Sequence, residues 1–122
     1  MSENLQTLTY FFRAAQDFAK SVREDPVVNT VVEEMYVCGS VGRFSNTPRD
    51  IDVLVFGMRI GGEHRKRLFQ LRIKEDERLR QELTRVFPGF KSTSQEYIDL
   101  EVNNLHKRKY IEQNDPTSMI RL

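Results

Sequence analysis

The first part of the chain has the hydrophobic spacing of an amphipathic helix. Spacing of this kind places apolar side chains on one face of an α-helix. Ser2 and Asn4 are suitable capping residues, and Pro26 disfavours helical geometry at the residue before it. The pattern therefore predicts an N-terminal helix over residues 1–24. Its buried face consists of six apolar residues at steps of three and four: Leu5, Leu8, Phe12, Ala15, Ala19 and Val22.

Two short apolar runs predict the first two strands. The first is Glu34–Cys38 and the second is Ile51–Phe56, which Gly57 closes. Short runs rich in β-branched and aromatic residues, bounded by turn residues, are typical of strands. The apolar run before them, residues 27–32, is compatible with either a helical turn or an extended lead-in.

A long helix and a third strand follow. Residues 63–87 contain neither Pro nor Gly and are rich in Arg, Lys, Glu and Leu, which predicts a helix whose apolar stripe is interrupted by Glu75. Residues 97–102 alternate strictly between apolar and other positions, which predicts a half-buried strand. Its core face consists of Ile98, Leu100 and Val102, and its opposite face of Tyr97, Asp99 and Glu101.

The order of these elements predicts the fold class. Helix, strand, strand, long helix and strand suit an α+β domain in which helices cover one face of a small mixed β-sheet. A chain of 122 residues is one domain, 1–122, with a single hydrophobic core. The polar tail, residues 105–122, carries no readable chemistry, although three of its apolar residues can dock on the body: Met119, Ile120 and Leu122.

Composition excludes some classes of function. The 19 basic and 18 acidic residues leave a formal net charge of +1, so nothing global favours a nucleic acid or a membrane surface. The basic cluster at residues 64–67 could contact RNA or phosphate, but a solvated helix start is the favoured interpretation. The apolar runs are too short to span a bilayer. Residues 1–4 lack the basic and apolar regions of a signal peptide, so we expect none. A lone cysteine, Cys38, suits a reducing compartment, and we expect a cytoplasmic protein.

The chemistry is concentrated between the first two strands. Gly39 and Ser40 follow the first strand, and small residues there let backbone N–H groups approach phosphates closely. Asp50 and Asp52 enter the second strand two positions apart, so their side chains share a face. Carboxylates are the protein ligands that Mg²⁺ prefers. Arg43 can add a charged contact to a phosphate, and the segment therefore indicates a nucleotide site with a divalent metal.

A third carboxylate would complete such a site. Asp99 is the first candidate on the third strand, and Glu101, on the same face, is the alternative. Each piece also has a simpler interpretation: an Asp-x-Asp is often a capped turn, and an acid in an alternating strand usually faces solvent. The combination in this order is what favours nucleotide chemistry.

Residues 34–57 resemble the DNA polymerase β nucleotidyltransferase superfamily. The resemblance rests on Gly39-Ser40-Val41-Gly42-Arg43 and Asp50-Ile51-Asp52-Val53-Leu54-Val55, and the chain has the size of the minimal single-domain members. It implies a nucleotidyltransferase fold and a transferase that depends on Mg²⁺ or Mn²⁺, with metal ligands at Asp50, Asp52 and Asp99. It also implies that Gly39 and Ser40 hold the triphosphate. Arg49, beside the acid pair, departs from the pattern of many small members.

Two functions remain open at this stage. The first is an enzyme that moves a nucleoside monophosphate, AMP from ATP, onto a protein or small-molecule hydroxyl. The resemblance adds a partner, since minimal prokaryotic members often act as antitoxins of a toxin–antitoxin pair and adenylylate a HEPN-type protein. The second is a nucleotide-binding or regulatory module without turnover. The acid pair and the third acid favour the enzyme.

Overall fold

The computed structural model describes residues 3–38, 51–89, 97–104 and 119–122. All the predicted helices and strands form, with small shifts at their ends. A short fourth strand joins them near the last residues, where no strand was predicted. In chain order the elements are α1 (Glu3–Glu24), β1 (Val32–Cys38), β2 (Ile51–Gly57), α2 (Gly62–Val86), β3 (Ile98–Asn103) and β4 (Ile120–Arg121).

The strands form one mixed sheet in the order β3-β2-β1-β4. β1 pairs antiparallel with both β2 and β4, whereas β2 and β3 are parallel. Parallel neighbours need a crossover connection, and the 25-residue helix α2 provides it. The predicted α+β class and mixed sheet are therefore confirmed.

The main core lies between the sheet and the two helices. Its fully buried side chains include Phe18 of α1, Leu79 of α2 and Val53 of β2. A second, smaller cluster occupies the opposite face of the sheet, where Tyr36, Leu54 and Phe56 are buried and Met119 packs against them. Because strand side chains alternate between faces, β2 contributes to both clusters. The prediction that the helices cover one face is confirmed.

The sequence pattern assigns Tyr97, at the start of the predicted third strand, to the wrong face of the sheet. β3 begins at Ile98, so strand alternation does not govern Tyr97. Its side chain is buried on the helix side, where its ring meets Phe11 edge to face with centroids 6.0 Å apart. The rest of the assignment is correct: Ile98 and Leu100 are buried, while Asp99 and Glu101 are exposed.

The segment between α1 and β1 is a turn, as one of the two alternatives expected. The carbonyl of Val28 accepts the N–H groups of both Val31 and Val32, each at 3.1 Å, before β1 starts. Asp25 is buried at the start of this turn and accepts the Val27 N–H at 2.9 Å. Its other oxygen lies 2.7 Å from Arg67 of α2, so the turn is tied to the crossover helix.

The last residues dock on β1. Tyr36 pairs with Arg121, and the Leu122 N–H donates to the carbonyl of Met35 at 2.9 Å. The expected docking of the tail is therefore present for residues 119–122, whereas the tail before them lies outside the described residues. Within the described part of the chain, neither helix combines the length and the apolar character that crossing a membrane requires.

Candidate functional site

Two acidic residues meet on the sheet face opposite the helices. Asp52 of β2 and Asp99 of β3 are register partners across the parallel pair. Residues in register on adjacent strands project to the same face, and the strands are about 4.8 Å apart. The carboxylates of Asp52 and Asp99 are therefore side-by-side neighbours.

The register also separates the two candidates for the third acid. Glu101 lies opposite Leu54, one alternation step further along β3. That step moves it about 6.6 Å along the strand from Asp99, at about 3.3 Å per residue. Leu54 belongs to the buried apolar cluster of this face, so the neighbour of Glu101 is hydrocarbon and the neighbour of Asp99 is a carboxylate.

Burial differs between the two acids. Asp52 is half-buried in the middle of the sheet, and Asp99 is exposed. Neighbouring like charges on one face of a sheet are destabilising, and a divalent cation between them removes that cost. Two carboxylates plus the phosphates of a substrate are a usual ligand set for Mg²⁺. The donor chemistry of this pair therefore fits the expected metal.

Two of the predicted site residues, Asp52 and Asp99, lie within the described residues. Asp50, Gly39, Ser40 and Arg43 lie outside the described residues. Within the described ranges, no three His, Cys, Asp or Glu side chains are grouped closely enough to hold a metal ion. Asp50, two positions before Asp52, is the sequence-based candidate for a further protein ligand.

A buried carboxylate on α2 holds the beginning of β3. Oδ1 of Asp76 accepts the N–H groups of Tyr97 at 2.7 Å and of Ile98 at 2.8 Å. The Tyr97 carbonyl in turn accepts the N–H of Ile51 on β2, at 2.8 Å. The two strands are thus joined immediately before Asp52 and Asp99.

The other end of the strand pair is closed by Asn104. Its Oδ1 accepts the Ile60 N–H at 2.8 Å, and its Nδ2 donates to the Ile60 carbonyl at 3.0 Å. Between β2 and Ile60 the chain passes through Arg59, whose φ of 65° is left-handed. This pair of hydrogen bonds from the Asn104 side chain holds the strained turn against the end of β3.

Sequence reasoning missed both Asp76 and Asn104. A signal existed for Asp76, because the spacing of the apolar stripe on α2 places positions 72, 75 and 76 on the buried face. All three are buried in the structure although they are charged: Arg72, Glu75 and Asp76. Only Glu75 was noted, as an interruption. Nothing local in the sequence points to Asn104, whose partner is 44 residues away.

The basic cluster at the start of α2 makes contacts within the fold. Arg67 forms an ion pair with Asp25 at 2.7 Å, and Arg65 donates to the Val102 carbonyl at 3.3 Å. Nδ1 of His64 accepts the Gly61 N–H at 2.9 Å. These contacts favour a structural role over a phosphate- or RNA-binding role, whereas the sequence interpretation favoured a solvated helix start.

The fold is shared with a solved structure of archaeal origin. A proposed nucleotidyltransferase from Sulfolobus solfataricus superposes with a TM-score of 0.53, over 99% of this chain and 86% of that chain. The two sequences are 15% identical, so the likeness establishes the fold alone. The amino-acid sequence itself matches no protein-family model and no curated protein.

Proposed function

We propose that this protein is a metal-dependent nucleotidyltransferase that uses the Asp52–Asp99 pair. The observation that carries the proposal is their register on adjacent parallel strands, on a fold shared with a proposed nucleotidyltransferase. The resemblance of residues 34–57 to the DNA polymerase β superfamily supports the same activity. We assign ATP as the donor and a hydroxyl group, on a protein or a small molecule, as the acceptor.

The roles of the residues follow from this chemistry. Mg²⁺ or Mn²⁺, when bound, would neutralise charge on the triphosphate and on the attacking and leaving oxygens. Asp50, Asp52 and Asp99 would hold the metal. Gly39 and Ser40 would hold the β- and γ-phosphates through backbone N–H groups and a hydroxyl, and Arg43 would add a charged contact.

The reaction balances with one proton transfer. The acceptor oxygen forms a bond to the α-phosphorus, the bond to the bridging oxygen of the β-phosphate breaks, and pyrophosphate leaves. Asp99 is exposed and can receive the proton of the acceptor hydroxyl. Asp52, half-buried beside it, would serve as a metal ligand.

A partner protein belongs to the same proposal. A HEPN-type protein in a cytoplasmic toxin–antitoxin pair is the acceptor that the family resemblance suggests. The contacts of the basic cluster within the fold and the balanced charge of the chain argue against a nucleic acid as the acceptor.

The decisive experiment measures which phosphate of the nucleotide is transferred to an acceptor. Purified protein is incubated with each nucleoside triphosphate, labelled at the α- or the γ-phosphate, with Mg²⁺ or Mn²⁺ and with or without lysate of the source cells. Nucleotidyl transfer predicts that only α-label is incorporated, and that Asp52→Asn and Asp99→Asn strongly reduce incorporation. Incorporated γ-label would indicate phosphoryl transfer instead. Metal-dependent ATP binding without incorporation would favour the silent nucleotide-binding module.

A further inference from the structure

We propose that Asp76 is a positioning residue whose buried carboxylate sets the place of Asp99 beside Asp52. The inference rests on the proposed function for its catalytic meaning, but the positioning itself is a property of the fold. It assigns a role to a charged residue of α2 that lies on the helix side of the sheet, across from the candidate site.

The contacts of Asp76 are concentrated on one peptide segment. The residue is 5% exposed, and a single oxygen accepts two successive amides, those of Tyr97 and Ile98. Asp99 is the next residue along the chain. Two hydrogen bonds from adjacent N–H groups to one oxygen fix both the position and the orientation of that segment.

The same segment is held from the β2 side. The Tyr97 carbonyl accepts the N–H of Ile51, and Asp52 is the residue after Ile51. The Tyr97 N–H is therefore hydrogen-bonded to a side chain of α2, and the Tyr97 carbonyl is hydrogen-bonded to the backbone of β2. Tyr97 thus links the buried carboxylate to the strand that carries Asp52, so displacement of Tyr97 would change the spacing of Asp52 and Asp99.

A carboxylate suits this position better than a neutral group. Burying a charge is costly unless it is hydrogen-bonded or paired, and bonds from backbone N–H groups to a carboxylate are strong. The second oxygen of Asp76 lies 3.4 Å from Arg80, whose guanidinium is in turn 5.2 Å from the centre of the Tyr97 ring. Both oxygens thus hold groups that belong to or contact the start of β3.

Asp25 provides a matched control for loss of a buried carboxylate. It is also 5% exposed, also accepts a backbone N–H, and is also paired with an arginine of α2, Arg67. Its hydrogen bonds hold the turn before β1 rather than the start of β3. Asp76→Ala and Asp25→Ala therefore both remove a buried, hydrogen-bonded carboxylate, but only Asp76→Ala removes one that holds the start of β3.

The variants Asp76→Ala, Asp76→Asn, Asp76→Glu and Asp25→Ala are compared with the full wild-type chain. Asn keeps an acceptor oxygen at the same distance from the backbone. Glu keeps the charge but moves the oxygens by one methylene, and it gives a second displaced variant if Ala does not fold. The first readout is amide hydrogen exchange at Ile51, whose N–H bonds to the Tyr97 carbonyl. The second is the dissociation constant for Mn²⁺ without nucleotide.

Positioning predicts a specific pattern. Asp76→Ala or Asp76→Glu should speed exchange at Ile51 beyond the change in global stability and weaken Mn²⁺ binding by about 10- to 100-fold, as losses of outer-shell support do. Asp76→Asn keeps an acceptor oxygen but loses the charge that pairs with Arg80, so it should fall between wild type and the displaced variants in both readouts. Asp25→Ala should lower global stability without a selective effect on Ile51 or on Mn²⁺.

Two results would overturn the proposal. One is wild-type exchange at Ile51 in both displaced variants, and the other is an equal loss of protection in Asp25→Ala. Failure of the proposed function looks different. A wild-type chain that binds no Mn²⁺, with the exchange contrast still present, would retain the positioning role and remove the metal site.

Discussion

Asp52 and Asp99 are register partners on adjacent parallel strands, and their carboxylates share the sheet face that the helices leave free. The two residues are 47 positions apart along the chain (99 minus 52). The crossover helix α2 joins their strands and also carries Asp76, which holds the beginning of β3. One helix therefore packs in the main core and also holds the strand that carries Asp99.

The register makes Asp99 the more important of the two acids on β3. Asp99→Asn should reduce transfer by about 10²- to 10⁴-fold, the usual range for loss of a general base, while most triphosphate binding remains. Glu101→Gln should be milder, because its register partner is the buried Leu54. Transfer rates and triphosphate dissociation constants of both variants test this, and a reversed order would reassign the third acid to Glu101.

A metal held by the acid pair should appear as a stability effect. ATP with Mg²⁺ should raise the melting temperature, because a ligand that binds only the folded state stabilises it. ATP without metal should have a much smaller effect. The double substitution Asp50→Asn with Asp52→Asn should remove the metal-dependent part of the shift, and a shift equal to that of wild type would exclude these residues from the site.

Gly57 is required by close packing at the end of β2. A Cβ at this position would lie 2.1 Å from the backbone oxygen of Val31 and 2.9 Å from Cδ1 of Ile60. Because a backbone oxygen cannot rotate away, Gly57→Ala should lower the free energy of unfolding by about 1–3 kcal/mol or more. Gly89→Ala is the control, since a Cβ there meets nothing within 4 Å, and denaturant unfolding of both variants gives the comparison.

The Asp25–Arg67 pair should contribute to stability at neutral pH but not in acid. The hydrogen bond from Arg67 holds the pKa of Asp25 below its ordinary value, against the opposing effect of burial. For an acid with a lowered folded pKa, the contribution is present above the unfolded pKa, about 3.9, and is lost as pH falls through the folded pKa. Asp25→Asn should therefore be less stable than wild type at pH 7, with the gap closing below about pH 4. A gap that does not depend on pH would assign the effect to packing alone.

The contribution of Glu75 to stability should depend on pH with the opposite sign to that of Asp25. Burial raises its pKa, although Arg78 and Lys74 and a hydrogen bond with Ser21 oppose the rise and Asp17 of α1 adds to it. For an acid with a raised folded pKa, stability increases as pH falls through that pKa. Because Arg78 is largely exposed, Glu75→Gln forfeits little ionic attraction and should be at least as stable as wild type at pH 7. That advantage in stability should shrink towards pH 4. Unfolding curves of Glu75→Gln and wild type between pH 7 and pH 4 test this, and an advantage that grows as the pH falls would contradict it.

The sequence by itself determined the two helices and the first three strands, and it predicted the chemistry of the candidate site. Hydrophobic periodicity identified α1, and a helix-favouring composition without Pro or Gly identified α2. Alternation identified the faces of Ile98, Asp99 and Leu100. Each of these patterns arises within one element. The pairing of Asp-x-Asp with a later strand acid indicated a metal site for the same reason: each motif is local.

Only the tertiary structure decided how the local pieces meet. Strand order and register placed Asp52 beside Asp99 rather than beside Glu101, which no single strand specifies. Tyr97 turned towards the helices because it precedes β3 and packs on Phe11. Asp76 and Asn104 gained their roles from backbone groups 21 and 44 residues away. Such hydrogen bonds have no period along the chain, since their partners come together only when the sheet and the crossover helix pack.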